Sequence, residues 1–242
     1  MVTVETSTAY AYGSLPLHPQ QMYTPPLITF EGLDFSGKSL QRIMLISKLR
    51  EQGFSVRAVR EPGGTPYAER VRDCIMHDKS EDVNAVSNCM MFGAARADVT
   101  KNVILPSLKS GKIVVSDRYT HSTLAYQHYG NGLDLNTVET LCRISSYGVI
   151  PRLTIYLDIG IRELIIRRAA AVRRNAITNP RDWETNDFYT RVRNGYLVML
   201  GRPNPYGTDQ ALVLDGTRPV SEIGEVIWEV VQPIVSGGVD LQ

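Results

Sequence analysis

Residues 30–41 read FEGLDFSGKSLQ, and from Gly32 to Ser39 the spacing is G-x-x-x-x-G-K-S. Glycines at both ends permit a tight turn that exposes successive backbone N–H groups, and a helix opening near Lys38 adds its positive end. A phosphate chain has a ready site there, with Lys38 reaching the outer phosphates and the Ser39 hydroxyl available to Mg2+. Phe35 is out of character, because a bulky ring sits inside a loop meant to wrap a polyanion.

The surroundings give the loop its context. LITFE (27–31) is a short apolar run leading into it. SLQRIMLISKLREQG follows with helical spacing, placing Leu40, Ile43, Ile46 and Leu49 on one face, with Gly53 as a stop. FSVRAVRE (54–61) alternates like a strand, YAERVRDCIMHD and residues 84–109 read as helices, and VSEIGEVIWEVVQPIV closes the chain as another. KIVVSDRY (112–119), LTIYLD (153–158) and ALVLD (211–215) carry buried-strand cores. Five apolar strands separated by helices predict an α/β fold of three layers, a five-stranded parallel sheet flanked by helices on both faces. With the loop, this is a P-loop NTPase fold, and such sheets bind ligands at the C-terminal ends of their strands.

The bulk properties narrow the function. A chain of 242 residues holds one domain or at most two, and 43% hydrophobic residues suffice for a sizeable core. A formal net charge of +1 argues against a generalised nucleic-acid or membrane surface. No apolar run approaches the length of a spanning helix. Cys74, Cys89 and Cys142 show no CxxC spacing and read as buried small hydrophobes in a reducing, cytoplasmic setting. Residues 1–26 are rich in Thr, Tyr and Pro, with one acid and no Lys or Arg. They lack the features of a signal peptide or presequence and read as a disordered extension ahead of a domain spanning 27–242. A docking arm on a partner subunit is the alternative.

A glycine loop specifies a nucleotide, not a reaction. Four further segments bear on the reaction: REPGGT (60–65), MFGAARAD (91–98), SDRYTHSTLAYQ (116–127) and RRAAAVRRNAITNPRDWE (167–184). Arg118, just past a strand end, is placed to bridge donor and acceptor phosphates with its planar fork. Asp117 beside it suits Mg2+ held through water, and a local salt bridge is the plainer reading of the pair. Arg60 is another candidate for an acceptor phosphate. Phe92 and Arg96, four apart, share a helix face, ordinarily core plus solvent. The arginine run reads as a solvated face, a nucleic-acid patch, or a lid closing over a nucleotide.

Together these segments closely resemble the thymidylate kinase family, in the same order and with similar gaps from about Leu27 to Val235. FYTRVRNGYL (188–197) and VLDGTRPVSEI (213–223) add to the likeness. The resemblance implies ATP- and Mg2+-dependent phosphorylation of dTMP to dTDP by a homodimer, with no nucleic-acid or membrane partner. It makes Gly32, Leu33, Asp34, Phe35, Ser36, Gly37, Lys38 and Ser39 the ATP-binding set, and Ser39 and Asp117 the metal pair. Phe92 would face the base, Arg96 a base carbonyl, Thr123 the base edge, Tyr126 the sugar 2′ position and Asp34 a ribose hydroxyl. Gln127, Arg60 and Arg118 complete the substrate set, and residues 167–184 become a lid.

Two positions depart from the family pattern. Leu40 stands where Thr is common and would extend the buried face of its helix. Phe35 stands where Gly or Arg is common, so the loop offers the phosphates no arginine. Catalytic charge is then expected from Lys38, Arg60, Arg118 and the lid arginines Arg173, Arg174 and Arg181. Arg181 leads, since RDWE ahead of DFY resembles the lid end of members without a loop arginine. The rival readings are a kinase for another pyrimidine monophosphate, such as dUMP or a modified base, and a P-loop binding protein that has lost catalysis. Intact Lys38, Ser39, Asp117 and Arg118 count against the second.

Overall fold

A computed structural model of the chain describes Tyr23 and residues 26–77, 84–174, 184–201 and 210–237. A parallel strand covered on both faces needs apolar residues at nearly every position. Strands β1 (Leu27–Glu31), β3 (Ile113–Asp117) and β4 (Leu153–Asp158) are buried almost throughout. Strands β2 (Val56–Arg60) and β5 (Gln210–Asp215) are half exposed. The order β2-β3-β1-β4-β5, parallel at every pairing, explains the difference by putting β2 and β5 at the edges. The predicted five-stranded sheet is present, and the sequence runs match the strands within a few residues.

Alternation along each strand feeds two cores. Ile28 and Phe30 of β1 meet Leu153, Ile155 and Leu157 of β4, Leu45 and Leu49 of α1 (Lys38–Glu51), and Ile223, Ile227 and Val231 of α9 (Val220–Val235). Leu27 of β1 and Val114 of β3 face the other way, onto Val99 of α3 (Ala85–Val99) and Leu108 of α4 (Leu105–Lys109). Each such residue contributes about 1.5–3 kcal/mol by leaving water. Between α3 and α4 the helix widens into one π-type turn, Thr100–Ile104. It falls just before Pro106, whose ring cannot donate the next helical hydrogen bond.

The remaining helices are α2 (Pro66–His77), α5 (Thr120–Thr123), α6 (Leu135–Ser145), α7 (Ile161–Arg173) and α8 (Asn186–Leu200). Side chains of Asn84, Asp134 and Thr185 cap α3, α6 and α8. Helix α1 has no side-chain cap and no acid in its first turn. The chain enters β1 at the opposite end of the sheet, where Pro26 O accepts from Val114 N at 3.1 Å and Tyr23 packs beside Leu27.

Two sequence expectations are corrected. On α1 the inward residues are Lys38, Gln41, Leu45, Ile46 and Leu49, whereas Leu40 is 48% and Ile43 56% exposed. Steps of three residues fall about 60° short of a full turn each time, so the set Leu40, Ile43, Ile46, Leu49 drifts from one side of the helix to the other. Leu40 therefore does not extend the buried face. Cys89 and Cys142 are buried as expected, but Cys74 on α2 is exposed. Of residues 1–26, read as a disordered extension, all but Tyr23 and Pro26 lie outside the described residues.

Candidate active site

The glycine loop follows β1 and opens α1, as its spacing requires. Gly32 has φ 146°, and a Cβ there would stand 2.7 Å from the carbonyl oxygen of Leu157. Phe35 adopts the left-handed region at φ 63°, uncommon for a bulky residue. Its ring is partly buried against a cluster that includes Leu33, Tyr156, Leu164, Phe188 and Tyr196. Its carbonyl accepts from Arg167 Nη1 at 3.1 Å, and Arg167 Nη2 reaches Gly216 O at 2.9 Å. Phe35 is thus a packing residue, with its backbone held by an arginine from α7.

Lys38 is buried and donates to Leu33 O at 3.2 Å, with Asp34 Oδ1 at 3.6 Å. Burial, then the nearby charge of Arg118, lowers its pKa. Partial burial works against the Asp34 charge, but Arg118 and Lys38 together hold its carboxyl below the usual range.

At the end of β3, Ser39 Oγ donates to Asp117 Oδ2 at 2.7 Å, and Arg42 Nε stands 3.7 Å from the same oxygen. The next residue, Arg118, is left-handed at φ 70°, with Ser116 Oγ donating to its carbonyl at 2.7 Å. The Arg118 guanidinium reaches Asp34 Oδ1 at 2.5 Å, Gly32 O at 3.2 Å, Ser122 Oγ at 3.0 Å and Tyr126 OH at 3.4 Å. Burial opposes its charge, but Tyr126, Asp34, Tyr196 and Glu31 outweigh that and raise its pKa. Arg118 therefore stays a cation between the loop and the segment after β3.

On the far side of β3, Arg60 Nη2 pairs with Glu69 Oε2 at 2.7 Å, and Glu69 Oε1 accepts from Gly64 N at 2.8 Å. Arg72 Nη1 donates to Pro62 O at 3.0 Å, so α2 fixes the REPGGT turn from two positions. Thr65 donates to Asp98 of α3. Arg96 is not solvated. Its Nε donates to Glu61 Oε2 at 2.8 Å, its Nη2 to Tyr119 O at 2.9 Å, and its Nη1 has the soft Cys142 Sγ at 3.9 Å. Glu61 is pushed up to about 7 by burial, against the pull of Arg96. Its Oε1 is buried without a hydrogen-bond partner among the described residues.

Phe92 lies one turn before Arg96 and is partly exposed, so it is available as a flat face. Thr123 is buried at the end of α5. Tyr126 and the buried Gln127 sit on a π-helical stretch, Leu124–Gly130, with Gln127 Oε1 accepting from Asn131 Nδ2 at 2.9 Å. Wide turns of this kind re-aim side chains and recur at functional sites.

The arginine run divides. Arg167 belongs to the loop, as described. Arg173 and Arg174 end α7 exposed, with Arg173 Nε on Ala169 O at 3.3 Å. Arg181 lies outside the described residues. Further residues entered the site without being singled out in the sequence, among them Glu31, Glu61, Glu69, Ser122 and Tyr196. Glu31 could have been suspected, since an acid ending a buried strand must find partners. Nothing near Tyr196 in the sequence points 78 residues back to Arg118.

The two halves of the site meet at one peptide step. Arg118 turns its side chain to the glycine loop, while the carbonyl of Tyr119 accepts from Arg96 of α3. Two phosphate-bearing ligands brought head to head at the top of a parallel sheet is the plan of a nucleoside monophosphate kinase. The thymidylate kinase family model matches residues 30–227. The chain is 39% identical over 199 residues to the thymidylate kinase of Dehalococcoides mccartyi, covering 81% of this chain and 90% of that one. It is 41% identical over 192 residues to that of Pelotomaculum thermopropionicum, covering 79% and 85%. The crystal structure of thymidylate kinase from Ehrlichia chaffeensis superposes with a TM-score of 0.65 at 30% identity, over 88% of this chain and 100% of that one. The chain belongs to the thymidylate kinase family, and it is a nucleoside monophosphate kinase.

Proposed function

We propose that the enzyme transfers the terminal phosphoryl group of ATP to dTMP, giving dTDP and ADP. The observation that carries this reading is the Arg118–Tyr119 step, where one residue serves the donor loop and the next holds the base-side arginine. Arg118, Lys38 and Arg60 bring positive charge to the two phosphates, and Asp34 keeps Arg118 aimed between them. Phosphoryl transfer asks little covalent chemistry of a protein; position and charge neutralisation supply the rate. Phe92 stacks on the thymine, Arg96 directs its guanidinium edge at a base carbonyl, Thr123 meets the base edge, and Tyr126 crowds the 2′ position.

Ser39 Oγ and Asp117 Oδ2 are hard oxygen donors side by side at 2.7 Å. Few protein oxygens suit Mg2+ when phosphates and water complete its shell. When bound there, Mg2+ neutralises charge on the transferring phosphates. The lid reading of residues 167–184 rests on the family resemblance, with Arg167 of α7 at its root. The family resemblance also implies a homodimer in the cytoplasm. Among the described residues no helix is long and apolar enough to cross a membrane.

A coupled assay of ADP release tests this over dTMP, dUMP, dCMP, dGMP, AMP and UMP. dTMP is the fastest acceptor, and dUMP is slower by about 10- to 200-fold for want of the methyl group. Equal rates on purine monophosphates overturn the reading.

A further inference from the structure

We propose that Glu31 is a positioning residue, fixing the guanidinium of Arg118 for phosphoryl transfer through the hydroxyls of Ser122 and Tyr196. The inference rests on the kinase reading of the Arg118 site.

Glu31 ends β1, directly before the glycine loop, and is fully buried. Its Oε1 accepts from Tyr119 N at 2.8 Å and Ser122 N at 3.3 Å. Its Oε2 accepts from Ser122 Oγ at 2.5 Å and Tyr196 OH at 3.0 Å. The two hydroxyls are 2.8 Å apart, and both face Arg118 Nη1, at 3.0 Å from Ser122 and 3.5 Å from Tyr196. A hydroxyl has one proton to give. Once that proton is committed to Glu31, the oxygen turns a lone pair to the guanidinium, and each link polarises the next.

The same carboxylate also fixes the backbone that carries the arginine. Its bonds to Tyr119 N and Ser122 N span the residues just after Arg118, whose own φ of 70° is a conformation that L-residues seldom hold unaided. Asp34 grips the other nitrogen of the guanidinium, Nη2, while the Gly32 carbonyl accepts from Nη1 beside the two hydroxyls. Arg118 is therefore held from two directions before any substrate arrives. A group aligned beforehand spends nothing on reorganisation in the transition state. A carboxylate serving the fold alone would have no need of two intermediaries that both end on Arg118.

Ser122→Ala and Tyr196→Phe each remove one hydroxyl while keeping the bulk, and Glu31→Gln keeps the shape without the charge. Expected is a fall in kcat of about 10- to 100-fold in each, with KM for dTMP and ATP within about three-fold. The double variant Ser122→Ala/Tyr196→Phe loses less than the product of the singles, because both act through one arginine. Ser122→Thr, which retains the hydroxyl, stays within about three-fold of the parent kcat. A second readout is independent of turnover: the guanidinium NMR signals of Arg118 show hindered rotation in the parent and averaging in the variants. Lower melting temperature with unchanged kcat, a rise in KM alone, or unchanged Arg118 rotation each overturns the proposal. If the parent fails to phosphorylate dTMP, the kinase reading falls, while the rotation measurement still decides whether Glu31 holds Arg118.

Discussion

The Ser39 hydroxyl donates to Asp117 Oδ2 at 2.7 Å, joining the first turn of α1 to the last residue of β3. The carboxylate is thereby aimed at the loop, and Arg42 balances its charge from 3.7 Å away. Asp117→Asn is expected to raise the half-saturating Mg2+ concentration at least about tenfold and to cut kcat by about 10²-fold, with dTMP affinity little changed. A Mg2+ titration of the kinase assay, with calorimetry for dTMP, reads both. An unchanged Mg2+ requirement would remove Asp117 from the metal pair.

The acceptor pocket has its own signature. Phe92→Ala is expected to weaken dTMP binding by about 1–3 kcal/mol through lost stacking, leaving ATP binding unchanged. Arg96→Ala should weaken dTMP in the same selective way, but it also leaves the buried Glu61 carboxyl without its hydrogen-bond partner, at about 1–3 kcal/mol of stability. Adding Glu61→Gln relieves that second effect. Calorimetry on the double variant then isolates the loss of the base contact, and full dTMP affinity there would return Arg96 to the core.

Glu61 carries a pH dependence. Its carboxyl is raised from 4.5 to about 7 by burial. Between those values the folded chain keeps a proton that the unfolded chain releases. This contribution is thus present below pH 4.5 and is lost as pH rises through about 7, amounting to about 3 kcal/mol at most. Glu61→Gln should flatten the decline in unfolding free energy between pH 5 and 8. Denaturant titrations across that range make the comparison, and parallel slopes in parent and variant would refute it.

The loop supplies no arginine, because position 35 is a packed phenylalanine. One of Arg173, Arg174 and Arg181 is expected to answer the charge that builds on the transferring phosphoryl group. Its replacement by Ala should cut kcat by about 10²- to 10⁴-fold with dTMP affinity retained, Arg181 being the first choice. Steady-state kinetics of the three single variants decide. Near-parental kcat in all three leaves Arg60 and Arg118 as the sources of that charge.

Strand positions were the most legible part of the chain, because a buried parallel strand must be apolar at almost every residue and little else reads that way. The face of α1 was less so. Its apolar residues outnumber the buried positions, and Leu40 and Ile43 fit a three-residue spacing that the helix does not keep. Arg118 and Asp117 could be singled out from their place after β3, but the company Arg118 keeps could not. Glu31, Ser122 and Tyr196 come from three separate elements and meet only when the sheet and α8 assemble. Arg167 reads as one of a run of like charges, and only the fold distinguishes it as the clamp on Phe35 and Gly216.

The chain enters β1 past Tyr23 and Pro26, at the end of the sheet farthest from the glycine loop. A five-residue strand puts about 17 Å between that entrance and Gly32. The entrance to β1 is thus a natural handle on the molecule. An affinity tag, a fluorescent fusion or a surface tether joined directly at Pro26, in place of the residues before it, would start from the underside of the sheet, away from the glycine loop.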